Sequence, residues 1–268
     1  MAGFKVAGCW HSLCSSLEAK PKGAKAMHGF FSAVSGGAAH EVWLEKVSNN
    51  LANANTVGYK GDHPTFESLF VSAGGKSDGG GMTTPVALVA VEEGIDLRQG
   101  AIRLTGNRLD LAIQGDGFFV VDTPQGTRYT RSGNFTVNGD GLLSTQDGLP
   151  VMGEGGALAI SGNSPAVMED GAVIVEGEEV GRLKLVDVDE KRYLFKEGSN
   201  LFGLSEEGQE VPATGRVIQG SIEASNVNAV AEMTMLINIS RAYEAYQKVI
   251  HAMDETSSRA VNEVGKVG

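Results

Sequence analysis

The sequence predicts an α+β protein in which long N- and C-terminal amphipathic helices pair in a coiled-coil-like core, with an all-β central domain. Three observations predict it: apolar residues at helical spacing near each end, short β-favouring runs between them, and 37 glycines among 268 residues. Glycine at roughly twice its average usage, without a three-residue period, indicates frequent tight turns. The hydrophobic content of 41% is enough for a buried core.

The N-terminal apolar stripe alternates steps of three and four residues, as one face of a helix does. Its members are Phe30, Ala33, Gly37, His40, Leu44, Val47, Leu51 and Ala54. The helix should end between Asn53 and Gly58, because Asn and Gly tolerate the left-handed conformation of a C-terminal cap.

The C-terminal stripe keeps the same alternation over about four heptads, the spacing of a coiled coil. Its members are Leu236, Ile239, Tyr243, Tyr246, Ile250, Met253, Ser257, Ala260 and Val264. A second apolar row runs beside it, through Ala242, Ala245, Val249 and Ala252. The apolar face is therefore wider than a two-stranded seam requires, which predicts more than one partner helix.

The centre changes to the pattern of short strands. Residues 109–122 predict a strand pair broken at Gln114-Gly115-Asp116-Gly117, with a compact β-favouring run at 117–121. Further strands are predicted between turn dipeptides such as Asn138-Gly139 and Asp147-Gly148.

These patterns divide the chain into five segments. They are an unpatterned leader at 1–26, a helix with its extension at 27–72, a linker and connecting β segment at 73–108, the β domain at 109–219 and the C-terminal helix at 220–268. Met27 opens the patterned part, which makes it a candidate start of translation.

Composition and motifs argue against several functions. A net charge of −11 disfavours nucleic acid and anionic membranes as partners. No apolar run approaches the 18 or so residues of a membrane span, so membrane insertion is not expected. The five histidines are scattered without a metal-binding spacing, and no nucleophile or acid–base motif stands out. The sequence therefore predicts no catalytic residue, no metal and no cofactor.

Three ordered motifs resemble the bacterial flagellar rod and hook axial family. The first is Ser48-Asn-Asn-Leu-Ala-Asn-Ala-Asn-Thr-Val-Gly-Tyr-Lys60, an Asn-rich helix end. The second comprises Asp110-Leu-Ala-Ile-Gln-Gly-Asp-Gly-Phe-Phe-Val-Val121, Arg131-Ser-Gly-Asn-Phe-Thr-Val-Asn138 and Leu143-Ser-Thr-Gln-Asp-Gly-Leu-Pro-Val151, which are similar to the family's central β domain. The third joins Gly220-Ser-Ile-Glu-Ala-Ser-Asn-Val-Asn228 to Arg241-Ala-Tyr-Glu-Ala-Tyr-Gln-Lys-Val-Ile250. The resemblance is closest to the proximal-rod type, with the distal-rod type second.

What the resemblance implies is a structural subunit of the flagellar basal-body rod in the periplasm. It would be exported by the flagellar type III apparatus without a cleaved signal peptide and would assemble with copies of itself and with neighbouring proximal- and distal-rod proteins. The residues assigned to subunit packing and helix-end geometry are Leu44, Val47, Asn50, Leu51, Asn53, Asn55, Gly58, Tyr59, Asn226, Asn228, Leu236, Ile239, Arg241, Tyr243, Tyr246 and Ile250.

Two other classes stay open at this stage. A secreted binding module with an all-β centre is the stronger, and a hydrolase on a β scaffold is the weaker. A binding module has no evident use for long amphipathic ends, and a hydrolase needs a convergent polar pocket.

Overall fold

The computed structural model describes residues 22–72, 85–160, 165–198 and 200–264. Most of the predicted leader and the glycine-rich part of the predicted linker lie outside these ranges. Two α-helices stand at the ends of the described chain, α1 (Lys22–Ala52) and α2 (Ala229–Val264). The backbone divides into two compact units. The first holds the described residues of Met1–His40, Glu67–Ala90 and Ala242–Gly268, and the second comprises Glu41–Phe66 and Val91–Arg241.

Nineteen strands lie between the helices in the described residues. The first ten are β1 (Asp62–Ser72), β2 (Pro85–Ile95), β3 (Ile102–Leu104), β4 (Leu111–Gln114), β5 (Phe118–Thr123), β6 (Gly126–Thr130), β7 (Thr136–Val137), β8 (Leu143–Ser144), β9 (Met152–Gly153) and β10 (Gly156–Ala157). The rest are β11 (Ala166–Val167), β12 (Ala172–Val175), β13 (Glu178–Arg182), β14 (Leu185–Val188), β15 (Leu194–Gly198), β16 (Leu201–Leu204), β17 (Glu210–Pro212), β18 (Arg216–Gln219) and β19 (Ser221–Glu223). A 3₁₀ turn, Lys191–Tyr193, precedes β15.

The largest sheet has six antiparallel strands in the order β15-β16-β6-β5-β14-β17. Its central strand β5 is buried on both faces, because Phe118 and Val120 pack in one apolar cluster and Phe119 and Val121 in another. Alternate side chains of a strand point to opposite faces, so this continuous apolar run serves two cores at once. The sheet is therefore covered on both sides.

Smaller strand pairs complete the β-rich region. The Asn138-Gly139 and Asp140-Gly141 dipeptides connect β7 to β8 as predicted, and those two strands pair antiparallel. The predicted pairing across residues 109–122 is different in the structure. The two strands exist, but β4 pairs with β18 and β5 pairs with β6 and β14.

The predicted pairing of the two long helices in a coiled-coil-like core is wrong, although the mixed α+β class is broadly right. The described residues form one helix at each end and a large β-rich region between them. Along the α2 stripe Ile239 is buried, whereas Tyr243, Tyr246 and Ile250 are only half-buried. The physical reason is that three-four spacing specifies an apolar face but not what covers it.

Small residues also limit what α1 offers to a partner helix. Within the first unit, Tyr246 lies against Gly36 and Gly37, and its ring centroid is 5.1 Å from that of His40. These glycines have no side chain to bury. The contact that Tyr246 makes is thus one aromatic ring against the backbone of Gly36 and Gly37 and the ring of His40, unlike the repeated interlocking of a coiled coil.

Gly133 offers a test of the packing of the β core. A Cβ at this position would lie 1.6 Å from the carbonyl oxygen of Leu111, whereas a Cβ at Gly139 would meet nothing within 4 Å. We expect Gly133→Ala to lower the free energy of unfolding by about 2 kcal/mol or more, since backbone must move. Gly139→Ala, the control, should change it by less than about 0.5 kcal/mol in urea denaturation. Equal effects would contradict the close approach.

Candidate functional site

The candidate assembly site begins where α1 ends, at the amide of Asn50. This side chain is buried; its Nδ2 donates to the carbonyl oxygen of Asp62 at 2.9 Å, and its Oδ1 accepts from the Asp62 N–H at 2.8 Å. The amide therefore pairs with Asp62 as a neighbouring strand would. This fixes the end of α1 to the start of β1.

Gly58 and Tyr59 shape the turn between α1 and β1. Gly58 has a φ of +69°, and a Cβ there would lie 2.3 Å from the backbone nitrogen of Ser132. Both observations require glycine. The Tyr59 hydroxyl lies 3.1 Å from Oδ1 of Asn49 and 3.2 Å from Oδ1 of Asn50, within donating distance of each. Burial raises the pKa of Tyr59, so this hydroxyl keeps its proton.

Asn226 and Asn228 fix the chain where it enters α2. The Gly61 N–H donates to Asn226 Oδ1 at 2.8 Å, and Asn226 Nδ2 donates to the carbonyl oxygen of Asp96 at 2.7 Å. Asn228 caps the helix, because its Oδ1 accepts from the N–H groups of Val230 and Ala231. Asn50, Gly58, Tyr59, Asn226 and Asn228 form what we call the helix junction.

A buried ionic cluster lies beneath the helix junction. Lys60 Nζ is 2.6 Å from Glu223 Oε1, and both side chains are fully buried. Arg131 Nη1 is 3.1 Å from Glu223 Oε2, and the Gly100 N–H also donates to the carboxylate. Burial lowers the pKa of Lys60, and the Glu223 carboxylate opposes that effect. The cluster joins four separate parts of the chain through one carboxylate.

Two further carboxylates border the helix junction. Hydrogen bonds from Arg98 lower the pKa of Asp96 to about 2, so Asp96 is ionised at neutral pH. Burial raises the pKa of Glu232 in the first turn of α2, where Asn50 contacts it. The pKa values of the two acids thus shift in opposite directions, because Asp96 accepts hydrogen bonds from the cation Arg98 whereas Glu232 is mainly desolvated by burial.

The remaining predicted residues divide by helix. On α1, Val47 is buried, Leu44 and Leu51 are half-buried, and Asn53 bonds back to Asn49. Asn55 is exposed. On α2, Ile239 is buried, Arg241 is exposed, and the others are half-buried, namely Leu236, Tyr243, Tyr246 and Ile250. The structure therefore brings the junction residues together and leaves the C-terminal stripe partly uncovered.

Sequence reasoning did not assign Lys60, Arg131 or Glu223 to the site. A signal was present, since each of the three charged residues lies within one of the three family-like motifs. Opposite charges embedded in otherwise ordered motifs are candidates for a buried pair. Their partners are not predictable from spacing, because Lys60 and Glu223 are 163 residues apart.

A groove of about 990 Å³ opens beside the helix junction, within the second unit. Tyr59, Lys196, Asn200 and Phe202 are among its lining residues. Lys196 pairs with Asp62 at 2.6 Å and lies over the Tyr59 ring, and Asn200 donates to the carbonyl oxygen of Val57. These polar groups are engaged in holding the turn after α1.

In the described ranges, no three His, Cys, Asp or Glu side chains are grouped so that they could hold a metal ion. None of the described helices has the length and apolar character that crossing a membrane requires.

The ionic cluster generates a stability prediction. Glu223→Gln keeps the shape but leaves Lys60 and Arg131 buried without an anion, so we expect a loss of about 3–5 kcal/mol of unfolding free energy. Asp116→Asn is the control, since it breaks the exposed pair with Lys191 (2.9 Å) and should cost less than about 1 kcal/mol. Denaturant titration measures both. A small loss for Glu223→Gln would show that the cluster does not hold the junction.

Comparison with known proteins places these features in a family. Three family descriptions match in chain order: "Flagella basal body rod protein" over residues 32–60, "Flagellar hook protein FlgE/F/G D1 domain" over 112–176, and "Flagellar basal body rod FlgEFG protein C-terminal" over 218–263. The first and last matches contain the two halves of the helix junction.

Relatives of similar length match across most of the chain. The flagellar basal-body rod protein FlgF of Caulobacter vibrioides is 39% identical over 84% of this chain and 92% of its own length. FlgF of Rhizobium meliloti is 33% identical over 88% and 98%, and the rod protein FlgG of Bacillus subtilis is 34% identical over 88% and 98%. The chain belongs to the flagellar basal-body rod protein family and is a structural rod subunit of the FlgF type.

Proposed function

We propose that this rod subunit is held in the rod by the apolar stripe of α2, which packs on neighbouring subunits, and that the resulting shaft transmits torque. The observation that carries the proposal is that Tyr243, Tyr246 and Ile250 are only partly buried in a single chain. Amphipathic helices gain stability when such a face is covered. Assembly would supply that cover.

A second apolar face on α2 supports more than one neighbour. Val230 is 74% exposed, and Met233 and Ile237 are exposed beside it at helical spacing. These residues lie on a different side of the helix from the stripe. A helix that is apolar on two sides is suited to a site between two other elements.

The helix junction has a different role in this proposal. Asn50, Tyr59 and Asn226 use their hydrogen-bonding groups within the chain. We therefore assign them to helix-end geometry: they set the direction in which the helices leave the β-rich region. Leu44, Leu51, Asn55 and Arg241 remain candidates for contact with neighbours.

Partners and location follow from membership of the rod family. We propose contacts with other copies and with neighbouring proximal- and distal-rod proteins, and export through the flagellar type III apparatus without a cleaved signal peptide. The proposed location of the assembled subunit is the basal-body rod in the periplasm. We propose no enzymatic activity, no nucleic-acid partner and no membrane insertion; the net charge of −11 supports the absence of polyanion binding.

The stripe is tested by placing a charge on it. We expect Tyr243→Asp and Ile250→Asp each to abolish incorporation into basal bodies, because a carboxylate would be buried without a partner. Tyr243→Phe and Ile250→Leu, which keep the stripe apolar, are the controls and should assemble. The measurement is the amount of chain in purified basal bodies, with circular dichroism to verify folding. Normal incorporation of the stripe variants would refute the interface.

Limited proteolysis tests whether the outer part of α2 is covered in the free subunit. We expect trypsin to cut early at the exposed Lys248 and Arg259 in dilute solution, because helix with an uncovered apolar face opens locally. A fragment containing residues 91–241 should survive with its β-type circular dichroism. Resistance of α2 would show that one chain covers its own stripe.

A further inference from the structure

The end of β3 and the turn that follows it, residues 103–108, form a segment that we call the cationic loop, and this segment presents an apolar side chain to solvent. Leu104 is 79% exposed, and Arg103 and Arg108 are exposed on either side of it. Within the described residues, neither arginine has an acidic side chain within ion-pairing distance. Single exposed leucines are common on protein surfaces, so exposure alone means little. The two nearby arginines and the fixed conformation of the loop make the exposed Leu104 a candidate contact residue.

The loop is held in one conformation by bonds to its own chain. The Asp110 carboxylate accepts from Thr105 Oγ1 at 2.6 Å and from Asn107 Nδ2 at 2.9 Å. The Gly220 carbonyl oxygen accepts from the N–H groups of Thr105 and Gly106 at 2.8 and 3.0 Å. A loop that is already ordered loses little conformational entropy when it binds. The leucine is thus presented as a preformed anchor.

A second exposed segment has the opposite charge. The hairpin between β12 and β13 presents Glu176, Glu178 and Glu179 to solvent, with Val180 46% exposed beside them. The one cation within 4 Å of these carboxylates in the described structure is Arg182, 3.9 Å from Glu179. Glu176 occupies the turn at φ +56°, a position where Asn, Asp or Gly is the usual choice. The hairpin therefore ends in a compact anionic tip with an apolar neighbour.

We propose that the cationic loop 103–108 of one copy binds the anionic hairpin tip 176–180 of the next copy. Each segment carries one exposed apolar residue and has charged residues close to it in sequence. The charges of the two segments are opposite, which fixes the orientation of the contact and disfavours pairing of like segments. The proposal rests on the rod function proposed above and adds a contact between β-rich regions to the packing of the helices.

The geometry of this contact suits a filament. The two patches are different parts of one surface, so the contact is heterologous: each copy uses its loop toward one neighbour and its hairpin toward the other. Two loops of like charge repel each other, so a closed two-fold dimer through the loop is disfavoured. Repetition by rotation and rise then produces an open helical array.

Charge reversal tests the contact in cells that produce the full-length chain as their only copy. We expect Arg103→Glu with Arg108→Glu to reduce the chain in purified basal bodies by about tenfold or more, since like charges then face each other. Glu178→Lys with Glu179→Lys should do the same. All four changes together should restore at least half of the wild-type amount, because the reversed patches are complementary again.

The control is Glu206→Lys with Glu207→Lys, two exposed acids outside the hairpin, which should assemble normally. Denaturant midpoints verify that every variant is folded. The proposed contact is overturned if either double variant assembles normally. It is also overturned if the variant with all four changes is no more abundant in basal bodies than the double variants. Loss of incorporation from the arginine pair alone would mean that the loop binds another partner. If the wild-type chain itself is absent from basal bodies, the rod function fails instead.

Discussion

The buried carboxylate of Glu223 is the constraint around which the second unit is arranged. A charge removed from water is costly, and the cost is offset here by Lys60, Arg131 and the N–H of Gly100 together. Each of these partners comes from a different part of the sequence. A partly assembled cluster leaves an unpaired ion in an apolar surrounding, so the arrangement favours all contacts or none. The residues that precede β1 and those that precede α2 are consequently fixed together.

The side chains around this cluster form hydrogen bonds within the chain, and they differ from those that can contact a neighbouring subunit. The amides of Asn50 and Asn226 each pair with a donor and an acceptor of the backbone, so they have little left to offer a neighbouring subunit. Apolar side chains that are not fully covered are found elsewhere, namely on the stripe of α2 and at Leu104. A family motif can therefore be a motif of local geometry, while the surfaces that recognise a neighbour lie outside its hydrogen-bonded centre.

The sequence could predict features that depend on neighbouring residues, but not those that depend on residues far apart in the chain. Compact β-favouring runs and Asn-Gly or Asp-Gly turns are local signals, and they correctly indicated β5 and the β7–β8 hairpin. Strand partners are not local: β4 pairs with β18, about a hundred residues later. The predicted pairing of the two helices was wrong because an apolar stripe looks the same in sequence whether it is covered by its own chain or by another molecule. The ionic cluster was missed since each charge, taken alone, resembles a surface residue.

A rod subunit must also carry torsion between its helices and its β-rich region, and only two chain segments connect them within the second unit. One follows α1 and includes Gly58 and Tyr59; the other precedes α2 and includes Asn226. A flexible pair of connections would dissipate applied torque as rotation about backbone bonds. Both segments are instead tied to each other through the Gly61 N–H on Asn226 and the Gly58 N–H on the carbonyl oxygen of Glu223. Because that carbonyl belongs to the residue whose carboxylate is buried, twisting either connection displaces the ionic cluster, and the cost of exposing an unpaired charge resists the twist.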